Sequence, residues 1–446
     1  KGDDNHADSS VLSVSSTINK VAPTLIKPTA LALDYNGSAQ ALATAGSASG
    51  GTLYYSLSSS GSWQTTIPNG TNVGSYTIYY YVKGDANHTD TEVASVVSTI
   101  NKVAPTLTAP TPKTLTYNGS AQILANAGTA TGGTLYYGLS ASGPWTTTIP
   151  SGKEVGQYTV YYYVKGDANH TDTEVASVVS SINKVAATLT TAPKSKTLNY
   201  TGSAQTLATA GSATGGTIYY SLSATGSWST ALPKGTTAGD YTIYYYVKGD
   251  DNHTDTTPAT IIAKINKVAP DYTEPTSLTL TYTSEAQELV GAASADGGVV
   301  YYSLKSNSGW STDIPTATNI GTYNVYYYVE GDDNHSNIAV KSVSSTILAK
   351  TLTITAIDNG KVYGTTDPTL TYTVEGLVGS DKVMGKLARS AGENVGEYAI
   401  NQGTLSVSSN YAIDFVSGIF TISKASLDAF SVSIANWTYG ATAKKP

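Results

Sequence analysis

The chain has no cysteine, a single methionine and only three phenylalanines among its 446 residues. Without Cys, disulfide frameworks and thiolate metal sites are excluded, so stability has to come from packed cores. Charged residues make up 13% of the chain, Arg389 is the only arginine, and the net charge is −7. A mildly acidic chain with one Arg is poorly suited to bind phosphate backbones, so we expect no nucleic-acid partner. No run approaches the roughly 18 apolar residues that a membrane span needs, so we expect no span in this fragment.

The residues that are abundant favour strands. Tyr is the dominant aromatic, with 34 copies, and Thr, Ser, Val and Ile fill many other positions. β-branched and aromatic side chains pack well on the pleated surface of a sheet. A chain of 446 residues also exceeds what one core of ordinary size would bury. The composition therefore predicts several all-β domains.

Internal repetition is the strongest signal in the sequence. The tripeptide Lys1-Gly2-Asp3 recurs in steps of 82, 82, 83 and 82 residues, with Glu in place of Lys in the last copy. Four tryptophans keep this rhythm, each 20 residues before its Lys or Glu: Trp63, Trp145, Trp228 and Trp310. All five histidines occupy one repeated position: His6, His88, His170, His253 and His335. Such regularity predicts tandem modules.

The repeat gives the expected domain boundaries. We predict a C-terminal repeat fragment at 1–20, four full repeats at 21–102, 103–184, 185–267 and 268–350, a different β module at 351–424, and an N-terminal stub of a further module at 425–446. Both natural ends are expected to lie outside this chain. The links between repeats are short and mostly contain Pro, as in 18–23, so we expect limited swivel and a linear rod.

One inserted residue distinguishes the third repeat. Lys184 and Tyr200 are 16 residues apart, whereas Lys102 and Tyr117 are 15 apart. An edge strand or its bend accommodates an insertion better than a central strand does. We therefore expect the extra residue in an edge strand.

Within a repeat, short stretches alternate with period two. In 74–82 the residues Tyr76, Ile78, Tyr80 and Val82 fall on one side, which predicts a strand with one buried face. Trp63 is expected to be a core anchor between the sheets. Seven or so short strands in about 82 residues suit a sandwich of two sheets.

A known family matches this pattern. Gly74-x-Tyr76-x-Ile78 resembles the Gly-x-Tyr-x-Cys signature of immunoglobulin-like domains, with Ile or Val in place of Cys. Residues 1–350 resemble the bacterial immunoglobulin-like repeats of surface adhesins. The resemblance implies a β-sandwich in which Tyr76 forms a corner, without the intersheet disulfide.

Residues 351–424 resemble the MBG domain, a small β module of bacterial surface proteins. The resemblance rests on Tyr363-Gly364, Asp367-Pro368, Gly396-x-Tyr398, Asn410-Tyr411-x-Ile413 and 421–425. The predicted fold is therefore all-β, with tandem immunoglobulin-like β-sandwiches followed by one MBG-type module.

These features predict a structural stalk of a bacterial surface adhesin or extracellular matrix protein, located at the cell surface. Its first partners would be the neighbouring modules of the same chain. A multivalent array that binds glycans or a host receptor is the first alternative, and a fibre that assembles from copies of the chain is the second. The histidines lie about 82 residues apart, one per module, so neither a zinc cage nor a catalytic site is expected. We therefore expect no enzyme activity.

Tyrosines that point away from the core could form a binding face. We predict an outward aromatic ribbon on which sugars could stack. Its candidate residues are Tyr54, Tyr79, Tyr81, Tyr136, Tyr161, Tyr163, Tyr219, Tyr244, Tyr246, Tyr301, Tyr326 and Tyr328. The simpler interpretation is cross-strand Tyr pairing that stabilises a sheet surface.

The repeated Gly-Asp-x-Asn-His turn offers oxygen ligands. Asp85, Asn87, Asp90 and Glu92 are of the type that Ca²⁺ prefers, although the spacing is not that of a known calcium loop. Asp and Asn are also expected at a turn for their bonds to the local backbone. Lys-Gly-Asp is similar to a receptor-recognition tripeptide, but a turn explains it equally well. No cofactor other than calcium is predicted, and a lysine isopeptide crosslink stays open.

Overall fold

A computed structural model describes residues 1–427, and this part of the chain is all-β, as predicted. Residues 1–20 contain no strand, and residues 1–427 contain no helix that could cross a membrane. Two compact units are present. The first comprises Lys1–Ala192, Gly211–Tyr219 and Tyr245–Ala259, and the second comprises the other described residues. The predicted stub at 425–446 lies almost entirely outside the described residues.

The strands repeat from module to module. The first repeat contains β1 (Thr24–Ile26), β2 (Thr29–Ala30), β3 (Ala32–Asp34), β4 (Gln40–Ala41), β5 (Ala43–Thr44), β6 (Ser47–Ser49), β7 (Gly51–Ser56), β8 (Asn69–Gly70), β9 (Gly74–Gly84) and β10 (Ala94–Asn101). The second contains β11 (Thr106–Thr108), β12 (Thr111–Pro112), β13 (Thr114–Thr116), β14 (Gln122–Ile123), β15 (Ala125–Asn126), β16 (Thr129–Thr131), β17 (Gly133–Gly138), β18 (Ser151–Gly152), β19 (Gly156–Gly166) and β20 (Ala176–Asn183).

The third and fourth repeats follow the same order. The third contains β21 (Val185–Ala186), β22 (Thr188–Thr191), β23 (Lys194–Ser195), β24 (Thr197–Asn199), β25 (Gln205–Thr206), β26 (Ala208–Thr209), β27 (Ser212–Thr214), β28 (Gly216–Ser221), β29 (Lys234–Gly235), β30 (Gly239–Gly249), β31 (His253–Thr254) and β32 (Ala259–Asn266). The fourth contains β33 (Asp271–Thr273), β34 (Thr276–Ser277), β35 (Thr279–Thr281), β36 (Gln287–Glu288), β37 (Val290–Gly291), β38 (Ser294–Asp296), β39 (Gly298–Ser303), β40 (Thr316–Ala317), β41 (Gly321–Gly331) and β42 (Ile338–Leu348).

The last module has fewer strands. It contains β43 (Lys350–Ala356), β44 (Asn359–Val362), β45 (Tyr372–Glu375), β46 (Ala388–Arg389), β47 (Gly396–Asn401), β48 (Tyr411–Val416) and β49 (Gly418–Ser423). They form one sheet in the order β45-β43-β48 and another in the order β44-β49-β47-β46. The core between the sheets includes Leu352, Ile354, Ile400 and Phe420, each fully buried.

The first repeat has the strand order of an immunoglobulin-like sandwich. One sheet runs β3-β10-β9-β7, in which β3 is parallel to β10 and the other pairs are antiparallel. The facing layer consists of the pairs β1–β6, β2–β5 and β4–β8. The second and fourth repeats have the same pairing. The predicted tandem immunoglobulin-like fold is therefore confirmed.

The long strand β9 has the burial pattern that its sequence predicts. Ile78, Tyr80 and Val82 are buried, and Ile78 and Tyr80 pack with Leu42 and Ile100 from other strands. Tyr76 forms the predicted corner, because its Oη donates a hydrogen bond to the carbonyl oxygen of Asn72 at 2.6 Å. The same bond recurs from Tyr158, Tyr241, Tyr323 and Tyr398, each to the residue four positions earlier.

The inserted residue of the third repeat lies in an edge strand, as expected. The strand β22 pairs only with β27, and the register between them shifts between Leu189 and Thr191. The extra residue is therefore absorbed by a bulge without disturbing the central strands.

The prediction for Trp63 is wrong. Its side chain is half-buried and lies outside the core, with its ring against Tyr81 at a centroid distance of 4.7 Å. Tyr81 alternates with the buried Tyr80 and Val82, so it projects to the outer face of the sheet. Trp63 thus covers the outer surface of the sheet.

Candidate functional site: the module junctions

In the second repeat, the Gly-Asp-x-Asn-His turn lies between β19 and β20, and its Asp side chain bonds to other residues of the same loop. Asp167 Oδ1 accepts a hydrogen bond from the Asn169 amide at 2.8 Å and lies 2.6 Å from His170 Nδ1. The bond to His170, followed by that from Asn169, holds the pKa of Asp167 below its usual value. Asp172 closes the loop by accepting a hydrogen bond from the Gly166 amide. The other three full repeats contain the same Asp–His pair at 2.5–2.7 Å.

Glycine is required in this loop. A Cβ atom on Gly166 would lie 2.4 Å from the carbonyl oxygen of His170 and 2.5 Å from that of Thr171. These are backbone atoms that cannot move aside cheaply. The geometry of the turn thus accounts for Gly in the tripeptide.

The histidine of the loop contacts the preceding module. The ring of His170 meets the ring of Tyr35 edge-on, with 5.3 Å between centroids and 79° between planes. Tyr117–His253 and Tyr200–His335 repeat this contact at 5.4 Å and 5.2 Å. Each of these three junctions lies within one compact unit.

The asparagine of the loop caps a turn of the preceding module. Asn169 Oδ1 accepts a hydrogen bond from the Val73 amide at 2.9 Å, and its Nδ2 donates to Asn72 Oδ1 at 3.3 Å. The amides of Val155 and Ala238 are bound at 2.8 Å by Asn252 and Asn334, respectively. A backbone donor of one module is thus satisfied by a side chain of the next.

A lysine in the link completes the contact. Lys102 Nζ donates hydrogen bonds to the carbonyl oxygens of Asp167 and His170, both at 2.9 Å. In the next junction Lys184 makes both equivalent bonds, and in the one after that Lys267 makes the bond to Asp332. We call this set of Tyr, capped amide, link Lys and Asn-His loop the junction clasp.

The junction at 348–350 uses a variant of the clasp. Asn410 Oδ1 accepts from the Ile320 amide at 3.0 Å, and the ring of Tyr411 meets that of Tyr282 at 5.3 Å and 79°. Both phenol groups donate to Asp381 Oδ2 at 2.9 Å. Tyr282 and Tyr411 are 4% and 7% exposed, and they belong to one core cluster that spans both modules.

The phenols of this variant clasp resist ionisation. The hydrogen bond to Asp381 raises the pKa of Tyr282, and burial raises that of Tyr411. Both therefore stay neutral donors at ordinary pH. Asn-Tyr takes the place of Asn-His here without loss of the contact.

Side chains predicted as calcium ligands take part in the loop's own hydrogen bonds. In the first full repeat, Asp85 pairs with His88 and accepts from the Asn87 amide, and Asp90 accepts from the Gly84 amide. Glu92 is exposed. Within residues 1–427, no group of three or more His, Cys, Asp or Glu side chains converges to hold a metal ion. Calcium binding stays a prediction. In the next three repeats, the equivalent loop forms part of the junction clasp.

The predicted aromatic ribbon lies on the outer face, but its rings are half-buried, not exposed. Tyr54 and Tyr81 stack across the strands at 5.8 Å and 21°, with Trp63 against Tyr81. The stacked pair recurs as Tyr136–Tyr163, Tyr219–Tyr246 and Tyr301–Tyr328. The third Tyr of each set is half-buried as well: Tyr79, Tyr161, Tyr244 and Tyr326. Ring-to-ring packing explains the burial of the stacked pairs, and a role in ligand binding stays a prediction.

We expect Tyr163→Ser to lower the free energy of unfolding of its module by roughly 0.5–1.5 kcal/mol more than Tyr161→Ser does. Tyr163 contacts the rings of Tyr136 and Trp145, whereas among residues 1–427 no ring contact to Tyr161 is found. Urea unfolding of the two variants measures the difference. Equal losses would mean that the ring pairs contribute nothing beyond their burial.

The last module contains a cluster of four charges. Lys361 and Arg389 have side chains only 4% and 9% exposed, and both contact Asp367 and Glu393 at 2.5–2.6 Å. A lysine–asparagine isopeptide crosslink would need a Lys, an Asn and an acidic residue buried together, whereas this cluster pairs its Lys with two carboxylates. The bond from Arg389, followed by that from Lys361, lowers the pKa of Asp367 to about 2. An ionised carboxylate opposite a charged amine favours an ion pair over bond formation.

Acid should therefore destabilise this module. The carboxyl of Asp367 titrates at its usual value of 3.8 when unfolded and at about 2 when folded. Its contribution is complete above the unfolded value and is lost as the pH falls toward 2. We expect the melting temperature of the module to drop between about pH 4 and pH 2. Differential scanning calorimetry should find a smaller drop for Asp367→Asn, and an equal drop would place the acid sensitivity elsewhere.

Comparisons with known proteins give one result for the chain of modules and another for the last module alone. No curated protein matches the chain. Solved structures that match include Sidekick-1 immunoglobulin domains 1–5 (11% identity, TM-score 0.25, 91% of this chain and 100% of that chain) and Drosophila N-cadherin EC1–3 (13%, 0.25, 54% and 97%). Fibronectin(III)-like modules of Clostridium thermocellum CbhA also match (17%, 0.15, 36% and 93%). These TM-scores are too low to support a fold assignment, which rests on the strand pairing described above. Residues 352–421 match the family described as MBG domain (YGX type), as predicted for 351–424.

Proposed function

We propose that this chain is a structural spacer of a bacterial extracellular surface protein, with modules held in series by junction clasps and without catalytic activity. The observation that carries the proposal is the recurrence of one clasp at successive junctions. The Gly-Asp-x-Asn-His loop, which contains the candidate calcium ligands, makes contacts between modules. A repeated contact of this kind serves a mechanical role better than a binding role.

The clasp consists of contacts that are individually weak. An edge-on ring pair contributes about 0.5–1.5 kcal/mol, and a neutral hydrogen bond contributes about 1 kcal/mol. Because a short link joins the two modules, each contact forms at a high effective concentration. Several such contacts keep neighbouring modules aligned, yet each junction can open under load before a module unfolds.

Placement outside a bacterial cell is part of the proposal. It is supported by the MBG domain at 352–421 and by the tandem immunoglobulin-like repeats before it. The glycan-binding array and the self-assembling fibre are the competing functions. Both would use the outer face, where the Tyr rings are half-buried against each other.

Small-angle X-ray scattering tests the proposal on the whole chain. A clasp variant with Tyr35, Tyr117 and Tyr200 changed to Ser should scatter as a more flexible ensemble than the unmodified chain. A control variant with Tyr79, Tyr161 and Tyr244 changed to Ser should scatter like the unmodified chain. Addition of calcium or a chelator should change none of the three.

Other outcomes would contradict the spacer. Identical flexibility of the clasp and control variants would remove the mechanical role of the clasp. Association that rises with concentration and disappears in the control variant would favour the fibre. A change in scattering on addition of a chelator would indicate that calcium binding is part of the function.

A further inference from the structure

The C-terminal end of the MBG domain has the same construction as the end of each repeat. The Tyr363 amide donates a hydrogen bond to the carbonyl oxygen of Ser423 at 2.9 Å. The Tyr117 amide donates in the same way to Asn183, also at 2.9 Å. Tyr363 thus occupies the position from which Tyr117 contacts the ring of His253. Its side chain, however, is 50% exposed.

The capped turn also has a counterpart. Tyr398 Oη donates to the carbonyl oxygen of Asn394 at 2.7 Å, as Tyr158 Oη does to Glu154 at 2.8 Å. The residue after Glu154 is Val155, whose amide is bound by Asn252. The residue after Asn394 is Val395, which is 47% exposed, and no hydrogen bond to its amide is found among residues 1–427.

The link lysine has a counterpart as well. Lys102 follows Ile100-Asn101 and donates to two carbonyl oxygens of the next loop. Lys424 follows Ile422-Ser423 at the same place, and it is exposed. One end of the MBG domain therefore has counterparts of the Tyr ring, the turn amide and the link Lys with which a repeat binds the loop of the next module.

We infer that Tyr363, Val395 and Lys424 form a docking surface, the MBG socket, for the loop of a further β module that presents Asn followed by His or Tyr. The ring would meet Tyr363, the Asn side chain would accept from the Val395 amide, and the loop carbonyls would accept from Lys424. This inference rests on the proposed function, in which clasps join modules in series.

The filled junctions identify the occupant. At three of them, a Tyr, a capped amide and a link Lys hold the loop of the module that follows directly in the chain. At the fourth, the Tyr and the capped amide hold the loop, and Ala349 stands at the position of the Lys. Two ring types are already accepted, since three junctions use His and one uses Tyr. A module that follows Lys424 is therefore the partner that fits the MBG socket.

Cross-linking tests the inference, because the chain has no Cys of its own. Residues 425–446 are replaced by a second copy of 103–184, so that Lys424 takes the place of Lys102. One chain contains Tyr363→Cys with His170→Cys in the appended copy. A reference chain contains Tyr35→Cys with His170→Cys in the original module. A short bis-maleimide should link both pairs to similar yields.

Two further chains keep the outcome decisive. In a control, Glu174→Cys replaces His170→Cys in the appended copy, and its yield should be far lower. In another chain, which also contains Tyr363→Cys, residues 425–446 are replaced by a copy of 350–424 with Tyr411→Cys. Limited proteolysis before cross-linking removes any chain whose appended module is unfolded.

The results separate the two proposals. The MBG socket is overturned if neither appended module links to position 363 above the control while the reference pair does link. If the reference pair also fails, the clasp and the proposed function fail with it.

Discussion

Replacing Tyr411 by Ala is expected to destabilise the MBG domain and the repeat before it together, by about 3–5 kcal/mol. Tyr411 is 7% exposed, contacts the ring of Tyr282 and shares Asp381 with it. Its removal opens a cavity in a core cluster that spans both modules. Hydrogen exchange read by mass spectrometry in urea should find lower protection in peptides of 268–350 and of 350–424.

The matched control is Tyr363→Ala. Tyr363 lies at the opposite end of the same domain and is 50% exposed. Its loss should change stability by no more than about 0.5 kcal/mol, as is usual for surface positions. If Tyr411→Ala lowered protection only within 350–424, the shared core would not couple the two modules.

Asn169→Ala is expected to weaken its junction by about 1–3 kcal/mol, because the partly buried Val73 amide would lose the one acceptor found for it among residues 1–427. The amide of Val73 should then exchange with solvent faster, and nuclear magnetic resonance measures this rate residue by residue. The folds of the two modules should remain intact, since their cores are separate clusters.

The first full repeat supplies a matched control for this variant as well. Asn87 holds the same position as Asn169, but its side chain is exposed and makes no hydrogen bond to another described residue. Asn87→Ala should leave every junction amide unchanged. Equal effects of the two substitutions would mean that Asn169 acts only within its own loop.

Much of the fold could be predicted because its signals are local or periodic. Alternation in 74–82 identified the buried face of β9, and Gly74-x-Tyr76 identified the corner. The spacing from Lys184 to Tyr200 placed an insertion that the edge strand β22 absorbs. These features depend on neighbours along the chain or across one strand pair.

The position of Trp63 could not be predicted in the same way. Residue type alone favours burial for a lone Trp in a small module. The outer face is nevertheless rich in Tyr, and Tyr81 offers a ring surface that Trp63 covers. A ring on a strand's outer face satisfies the same preference as a core position.

The clasp was missed because its contacts cross between modules. Val73 and Asn169 are 96 residues apart, and their contact depends on how one module follows another. The sequence did contain a signal, since Tyr35 and His170 each recur once per module beside turn residues. Two residues with one shared period are candidates for a contact between repeats as much as for a binding site.

The most direct test of the clasp is the nuclear Overhauser effect between ring protons of Tyr117 and His253 in the whole chain. Their ring centroids are 5.4 Å apart, so cross-peaks are predicted. The stacked pair Tyr136–Tyr163, at 5.7 Å within one module, provides the reference. Cross-peaks for Tyr136–Tyr163 without any for Tyr117–His253 would contradict the clasp as the element that joins successive modules.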